Sequence, residues 1–193
     1  MKRIIASQGK VPGPDPKGLG KEFGFLLHDL QIMPFDWHRD IEKARHLNRK
    51  AIEASPVIHA FTDGLSGGWN KHLVQLINEA KERRGDFLVI YIGDRLVAMG
   101  GFMQKEDDEN VAVLRGNRVD PDFGSKGLGR ILVLERETRA RERGYKEIEA
   151  EVPDGNAPMI AICKKLGYRE IRKEKGEFSD FIIFRKELEA KDL

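Results

Sequence analysis

One cysteine, Cys163, stands in a chain of 193 residues, so no disulfide can close within it, and Cys/His spacing suited to a structural zinc is absent. A reducing compartment follows, and the cytoplasm is expected. Long apolar runs are missing too: none approaches the roughly 20 residues that cross a bilayer, and Ile4-Ile5-Ala6 is too short for a signal-peptide core. No membrane role is expected. There is little excess charge, with 34 Lys and Arg against 32 Asp and Glu, and a net +2 gives no general attraction to nucleic acid. Any basic site must be local. The five histidines lack HExxH or paired spacing, so no metal centre is expected.

What is present is an ordered series of patterns. Residues 1–24 read as an irregular arm, because Ser7 to Lys21 hold three prolines and four glycines with few large apolar groups. Residues 25–193 read as one domain, long enough to bury its own core. Phe25 to Phe35 reads as a strand closed by Pro34. Asp36 can cap a helix from Trp37 to Ala54, whose Ile41, Ala44, Leu47, Ala51 and Ile52 form a stripe; Ser55-Pro56 stops it. Ser66-Gly-Gly opens a second helix, with Trp69, Leu73, Leu76, Ile77 and Ala80 on one face.

Strands then take over. Phe87 to Ile92 and Leu96 to Met103 flank Gly93-Asp94-Arg95 as a hairpin. Glu106 to Asn110 reads as a polar turn and Val111 to Val119 as the next strand. A helix from Gly127 to Arg143 ends at Gly144. Tyr145 to Val152 is a strand, Ala157 to Leu166 a short helix, and Tyr168 to Lys173 and Phe181 to Leu188 two closing strands. The order β-α-α-β-β-β-α-β-α-β-β predicts an α/β fold: a mixed, mostly antiparallel central sheet with helices on both faces.

Two motifs carry chemistry. Val119-Asp-Pro-Asp-Phe-Gly-Ser-Lys-Gly-Leu-Gly-Arg130 places a glycine-rich turn between a strand and a helix, where converging N–H groups and the positive helix end attract phosphate oxygens. Its order, G-x-x-G-x-G, fits neither a nucleotide P-loop nor the dinucleotide G-x-G-x-x-G. Downstream lies Asn156-Ala-Pro-Met-Ile-Ala-Ile-Cys-Lys-Lys-Leu-Gly-Tyr168. Each half alone is weak evidence; the combination is specific.

With this element order and these motifs, the chain from about Leu30 to Glu187 resembles the GCN5-related N-acetyltransferases (GNAT superfamily). Val119-Asp-Pro121 matches that family's V-x-P strand end, Gly124-x-x-Gly127-x-Gly129 its glycine turn, and Asn156 through Gly167-Tyr168 its asparagine-led helix. The resemblance implies a soluble enzyme transferring acetyl from acetyl-CoA to a primary amine on a small molecule or peptide. Asn117, Arg118 and Val119 would bind the pantetheine arm through their backbone, with the Val119 N–H on the thioester oxygen. Ser125, Lys126, Gly127, Leu128, Gly129 and Arg130 would surround the pyrophosphate, and Asn156 would touch the cofactor arm. No metal is implied, and a homodimer stays open because family members pair through different edges.

Departures from the pattern matter as well. Gly124 stands where the family carries Gln or Arg, leaving Lys126 and Arg130 to offset phosphate charge. Cys163 stands where many members carry a tyrosine proposed as general acid. Two readings of it compete: a small buried hydrophobe, or a thiol that protonates the departing thiolate. Glu151 is the candidate base, at a position where some members, including ribosomal-protein alanine acetyltransferases, carry a glutamate. Alternation puts Glu147, Glu149 and Glu151 on one side of their strand. Three carboxylates there would favour a cationic acceptor, or would simply face solvent. A coenzyme A-binding sensor or scaffold without catalysis is the alternative function.

Overall fold

The computed structural model describes residues 30–63, 68–176 and 179–189, of which the side chains of 60–63 are left aside. The expected arm, the start of the first strand and Ser66-Gly67 lie outside these residues. Among them run seven strands: β1 Leu30–Pro34, β2 Asp86–Ile92, β3 Arg95–Lys105, β4 Asp108–Val119, β5 Glu147–Pro153, β6 Arg169–Glu174 and β7 Phe181–Glu187. Five helices accompany them: α1 Trp37–Glu53, α2 Pro56–Asp63, α3 Gly68–Glu82, α4 Leu128–Glu142 and α5 Ala157–Lys165. No described helix is long and apolar enough to cross a membrane.

The strands form one sheet in the order β1-β2-β3-β4-β5-β7-β6. All neighbours pair antiparallel except β4 and β5, which are parallel. The predicted fold class is therefore observed. One face carries α1 and α3, whose Ala44, Leu47, Leu73, Leu76 and Ile77 pack on Val89, Tyr91, Met99 and Met103. The other carries α4 and α5, where Val133, Met159 and Cys163 meet Ala112, Leu114, Ile148, Ala150 and Phe184. Each large side chain so buried contributes about 1.5–3 kcal/mol, which fixes the helices to their faces.

Two local expectations need correction. Ser55-Pro56 ends α1 but also starts α2: the Ser55 hydroxyl accepts the Ile58 amide at 3.4 Å, and Pro56 takes the first helical position, where its missing N–H costs nothing. The polar turn is also shorter than Glu106 to Asn110, because Asp108 already pairs with Lys105, leaving Glu106 and Asp107 at the tip. Asp36 caps α1 as expected, accepting the Arg39 amide at 2.9 Å.

Candidate active site

β4 and β5 pair only along Val111–Leu114 and Glu147–Ala150. Beyond that, β4 stays with β3 as far as Val119, while β5 stays with β7 as far as Pro153. Each strand follows a different neighbour, so the sheet forks. The fork holds a cavity of about 270 Å³ and, joined to it, a groove of about 590 Å³. Ile58, Asn117, Arg118, Asn156 and Met159 line both.

A bulge in β4 decides which side chains face which space. Arg118 pairs with Met99 and Arg115 with Gly101, so Gly116 and Asn117 together oppose Gly100. Gly116 has φ +63°, and a Cβ there would lie 3.0 Å from Leu76 Cδ1. Glycine suits both constraints. The extra residue inverts the alternation. Leu114 packs toward α4 and α5, yet so does Asn117, which donates to Met159 Sδ at 3.7 Å and accepts from Arg136 Nη2 at 2.8 Å. Arg115 and Arg118 consequently share the opposite face: Arg115 reaches Glu151, and Arg118 Nε donates to Asn48 Oδ1 of α1 at 3.2 Å.

Past the bulge, β4 leads into the glycine turn. The Asp120 N–H donates to Val97 O of β3 at 2.8 Å. Amides alternate along a strand, so the Val119 N–H faces away from β3, into the fork. Burial pushes the Asp120 carboxyl up, but hydrogen bonds from Lys50 (2.8 Å) and Arg95 (2.6 Å) outweigh it and hold the group below the usual carboxylate range. This ion cluster, unforeseen in the sequence, pins the turn to α1 and to β3.

Ser125 and Gly127 both have positive φ, 59° and 79°. Such residues turn successive N–H groups inward as an anion-binding nest. Gly127 caps α4 without a side-chain bond, and Ile131 is bonded to the Gly127 carbonyl at 3.0 Å. The amides of Leu128, Gly129 and Arg130 therefore precede the first helical bond, at the helix end whose dipole favours an anion. Of the residues expected around the cofactor, Asn117, Arg118, Val119, Gly124, Ser125, Gly127, Leu128, Gly129, Arg130 and Asn156 line the groove, joined by Lys165. Lys126 does not line it; its ammonium lies 5.2 Å from the Phe123 ring centroid. Asn156 caps α5, accepting the Met159 amide at 3.3 Å.

The three glutamates of β5 share a face as expected, but they are not an open acidic strip. Glu149 is fully buried, and its Oε1 accepts from Arg185 Nε at 2.8 Å and from Lys105 at 3.4 Å. Glu147 accepts from Arg185 Nη1 at 3.1 Å. Glu151 lines the smaller cavity, where Arg115 spans both its oxygens, one of them at 3.1 Å. Arginines from β4 and β7 thus offset the charge that favoured a cationic acceptor, and the solvent-facing alternative fails for Glu149.

Cys163 is fully buried in the core between α5 and the sheet and lines neither space. Burial pushes its thiol up to about 12. That placement favours the packing reading over a proton donor. Arg136, overlooked in the sequence, is fully buried at the back of the fork. Its signal was available, because Arg136 continues the i, i+4 series Leu128, Leu132, Ala140, all buried on α4.

Comparison with known proteins agrees with this geometry. A curated relative, a mycothiol acetyltransferase of Actinosynnema mirum, is 25% identical over 172 residues, covering 87% of this chain and 50% of that protein. Another, from Saccharomonospora viridis, is 38% identical over 56 residues, 29% of this chain and 18% of that one. The chain thus spans half or less of the length of these relatives. Among solved structures, the ribosomal-protein-S18-alanine N-acetyltransferase of Escherichia coli superposes with a TM-score of 0.65 at 22% identity, covering 85% of this chain and 98% of that one. The yncA protein of Salmonella typhimurium, solved with its cofactor acetyl-CoA, gives a TM-score of 0.63 at 18% identity, covering 86% and 97%. The model of the acetyltransferase (GNAT) family matches residues 54–168, more than half of the sequence and including both β4 and β5, and the chain belongs to that family.

Proposed function

We propose that the protein transfers an acetyl group from acetyl-CoA to a primary amine by direct attack. The observation that carries this reading is the fork itself: one groove leads from the positive-φ turn at the N-terminus of α4 to a strand-end N–H, and a second cavity meets it there. Bound acetyl-CoA supplies an acyl carbon activated as a thioester. The amides from Ser125 to Arg130, with Arg130 and Lys165, would hold its pyrophosphate, and Asn117, Val119 and Asn156 its pantetheine arm. The Val119 N–H would donate to the carbonyl oxygen where negative charge develops.

The acceptor amine belongs in the smaller cavity beside Glu151. A carboxylate has about four lone-pair sites, and Arg115 takes two, so Glu151 retains capacity to accept an amine proton. The new N–C bond forms as the C–S bond breaks, Glu151 passes the proton to water, and the departing sulfur is protonated from solvent. Cys163 takes no part. One observation favours a second reading, a coenzyme A-binding module without catalysis: Arg115 already spans Glu151.

Release of free thiol from acetyl-CoA, measured with a panel of amines, amino acids and peptides, separates the two readings. Turnover supports the enzyme, whereas acetyl-CoA binding without thiol release across the panel supports the module. Glu151→Gln should lower kcat at least tenfold with little change in acetyl-CoA affinity. Wild-type turnover in that variant would remove Glu151 from the chemistry.

A further inference from the structure

Arg118 is a buried cation, 9% exposed, whose charge has no carboxylate partner among the described residues. Its Nε donates to the Asn48 side chain at 3.2 Å and its Nη1 to the carbonyl of Asn117 at 3.1 Å, both neutral acceptors. Its other terminal nitrogen carries no bond among the described residues. A buried guanidinium of this kind is costly unless something completes it, since arginine presents a planar fork suited to two carboxylate oxygens.

The surroundings say what that something is. Arg118 lines the acceptor cavity and sits on the face of the sheet that also bears Arg115 and Glu151. The cavity's other charges are largely paired: Arg115 with Glu151, and Arg83 with Glu106 at 3.0 Å. Glu79 accepts from Gln75 at 2.6 Å. Arg136, the other buried cation of this cavity without a counter-charge among the described residues, is filled by four protein acceptors, which leaves Arg118 as the incomplete one; at about 270 Å³ the cavity lies below the roughly 300–1,000 Å³ usual for drug-sized ligands.

We infer that Arg118 anchors an anionic subsite for the acceptor, which takes the carboxylate of a small amino acid while the amine of the same molecule lies toward Glu151. This rests on the acetyltransferase reading and narrows it, replacing a cationic acceptor such as a polyamine with a zwitterionic one. The nearby anionic alternative is the cofactor, whose groove Arg118 also lines.

The test uses matched pairs, each α-amino acid against its own carboxamide, which keeps the amine and removes the negative charge. With wild-type protein and acetyl-CoA, kcat/KM for the best amino acid should exceed that for its carboxamide at least tenfold. Arg118→Gln should bring the ratio near one by raising KM for the amino acid, and Arg118→Lys should restore part of it. Thermal melting of both variants confirms that they fold. A wild-type ratio near one overturns the inference. So does an Arg118→Gln protein that keeps the ratio but binds acetyl-CoA more weakly by calorimetry, which would assign the guanidinium to the cofactor. If no acceptor turns over, the acetyltransferase reading fails separately. Calorimetric titration with the same pairs then decides the subsite: amino acids binding over carboxamides, with the preference lost in Arg118→Gln, upholds it, and equal or absent binding overturns it.

Discussion

Arg118 and Arg136 lie on opposite faces of the same bulge, both buried, and burial pushes both guanidinium groups down to about 10. Their partners differ. Arg136 donates to Leu132 O (3.1 Å), Gly101 O (3.0 Å), Arg115 O (3.4 Å) and Asn117 Oδ1 (2.8 Å), so it ties α4 to β3 and to the bulged stretch of β4. Arg118 has two neutral acceptors and opens onto both parts of the fork. Burial alone therefore does not distinguish a structural charge from a ligand-binding one. What distinguishes them is whether the protein itself fills the hydrogen-bonding capacity: a satisfied guanidinium holds the fold, and an incomplete one awaits a partner.

The sharpest way to break this contrast is Arg136→Met. It strips buried carbonyls and Asn117 of a donor, at about 1–3 kcal/mol for each group left unsatisfied, partly offset by removal of a buried charge. A net loss of about 3 kcal/mol should appear in urea denaturation; a loss below about 1 kcal/mol would deny Arg136 its bracing role. Arg118→Gln should change unfolding free energy by less than about 1 kcal/mol, because few bonds are lost and a desolvated charge is removed. A stability loss as large as that of Arg136→Met would erase the distinction.

Cys163→Ala should cost about 1 kcal/mol in packing and leave kcat within twofold of wild type. The thiol also sets a pH signature. An unfolded thiol releases its proton near pH 8.5, whereas the buried one holds it until about 12. Between those values the folded state binds more protons, so stability falls as pH rises. Wild-type protein should lose melting temperature relative to Cys163→Ala from pH 8 to 10; parallel curves would show an exposed thiol. The smallest effect is on His72, lowered first by burial and then by the charges of Arg118 and Arg115. Arg118→Gln should move its NMR titration upward, and an unmoved midpoint would place the guanidinium elsewhere.

Much of the fold was legible because its signals are local. Strand alternation, the Gly93 hairpin and the glycine and asparagine motifs each lie within a few residues. The glycine-turn side of the fork followed from them, since its backbone geometry depends on local residues more than on distant partners. The side bearing Arg115, Arg118 and Glu151 was less legible. One extra residue at Gly116 inverts the faces beyond it, so alternation counted along β4 misplaces Arg118. Glu149 and Glu151 looked like an acidic row because Arg185 and Arg115, their partners, come from other strands. Arg136 carried a helical signal but contradicted the expectation that a charge faces water.

The contrast between the two arginines is tested most directly by their Nε–H NMR resonances during titration, first with acetyl-CoA and then with an amino acid acceptor. The Arg118 signal should move when the amino acid is added and the Arg136 signal should stay in place. Movement of Arg136 with Arg118 unmoved would contradict the assignment of one to the ligand and the other to the fold.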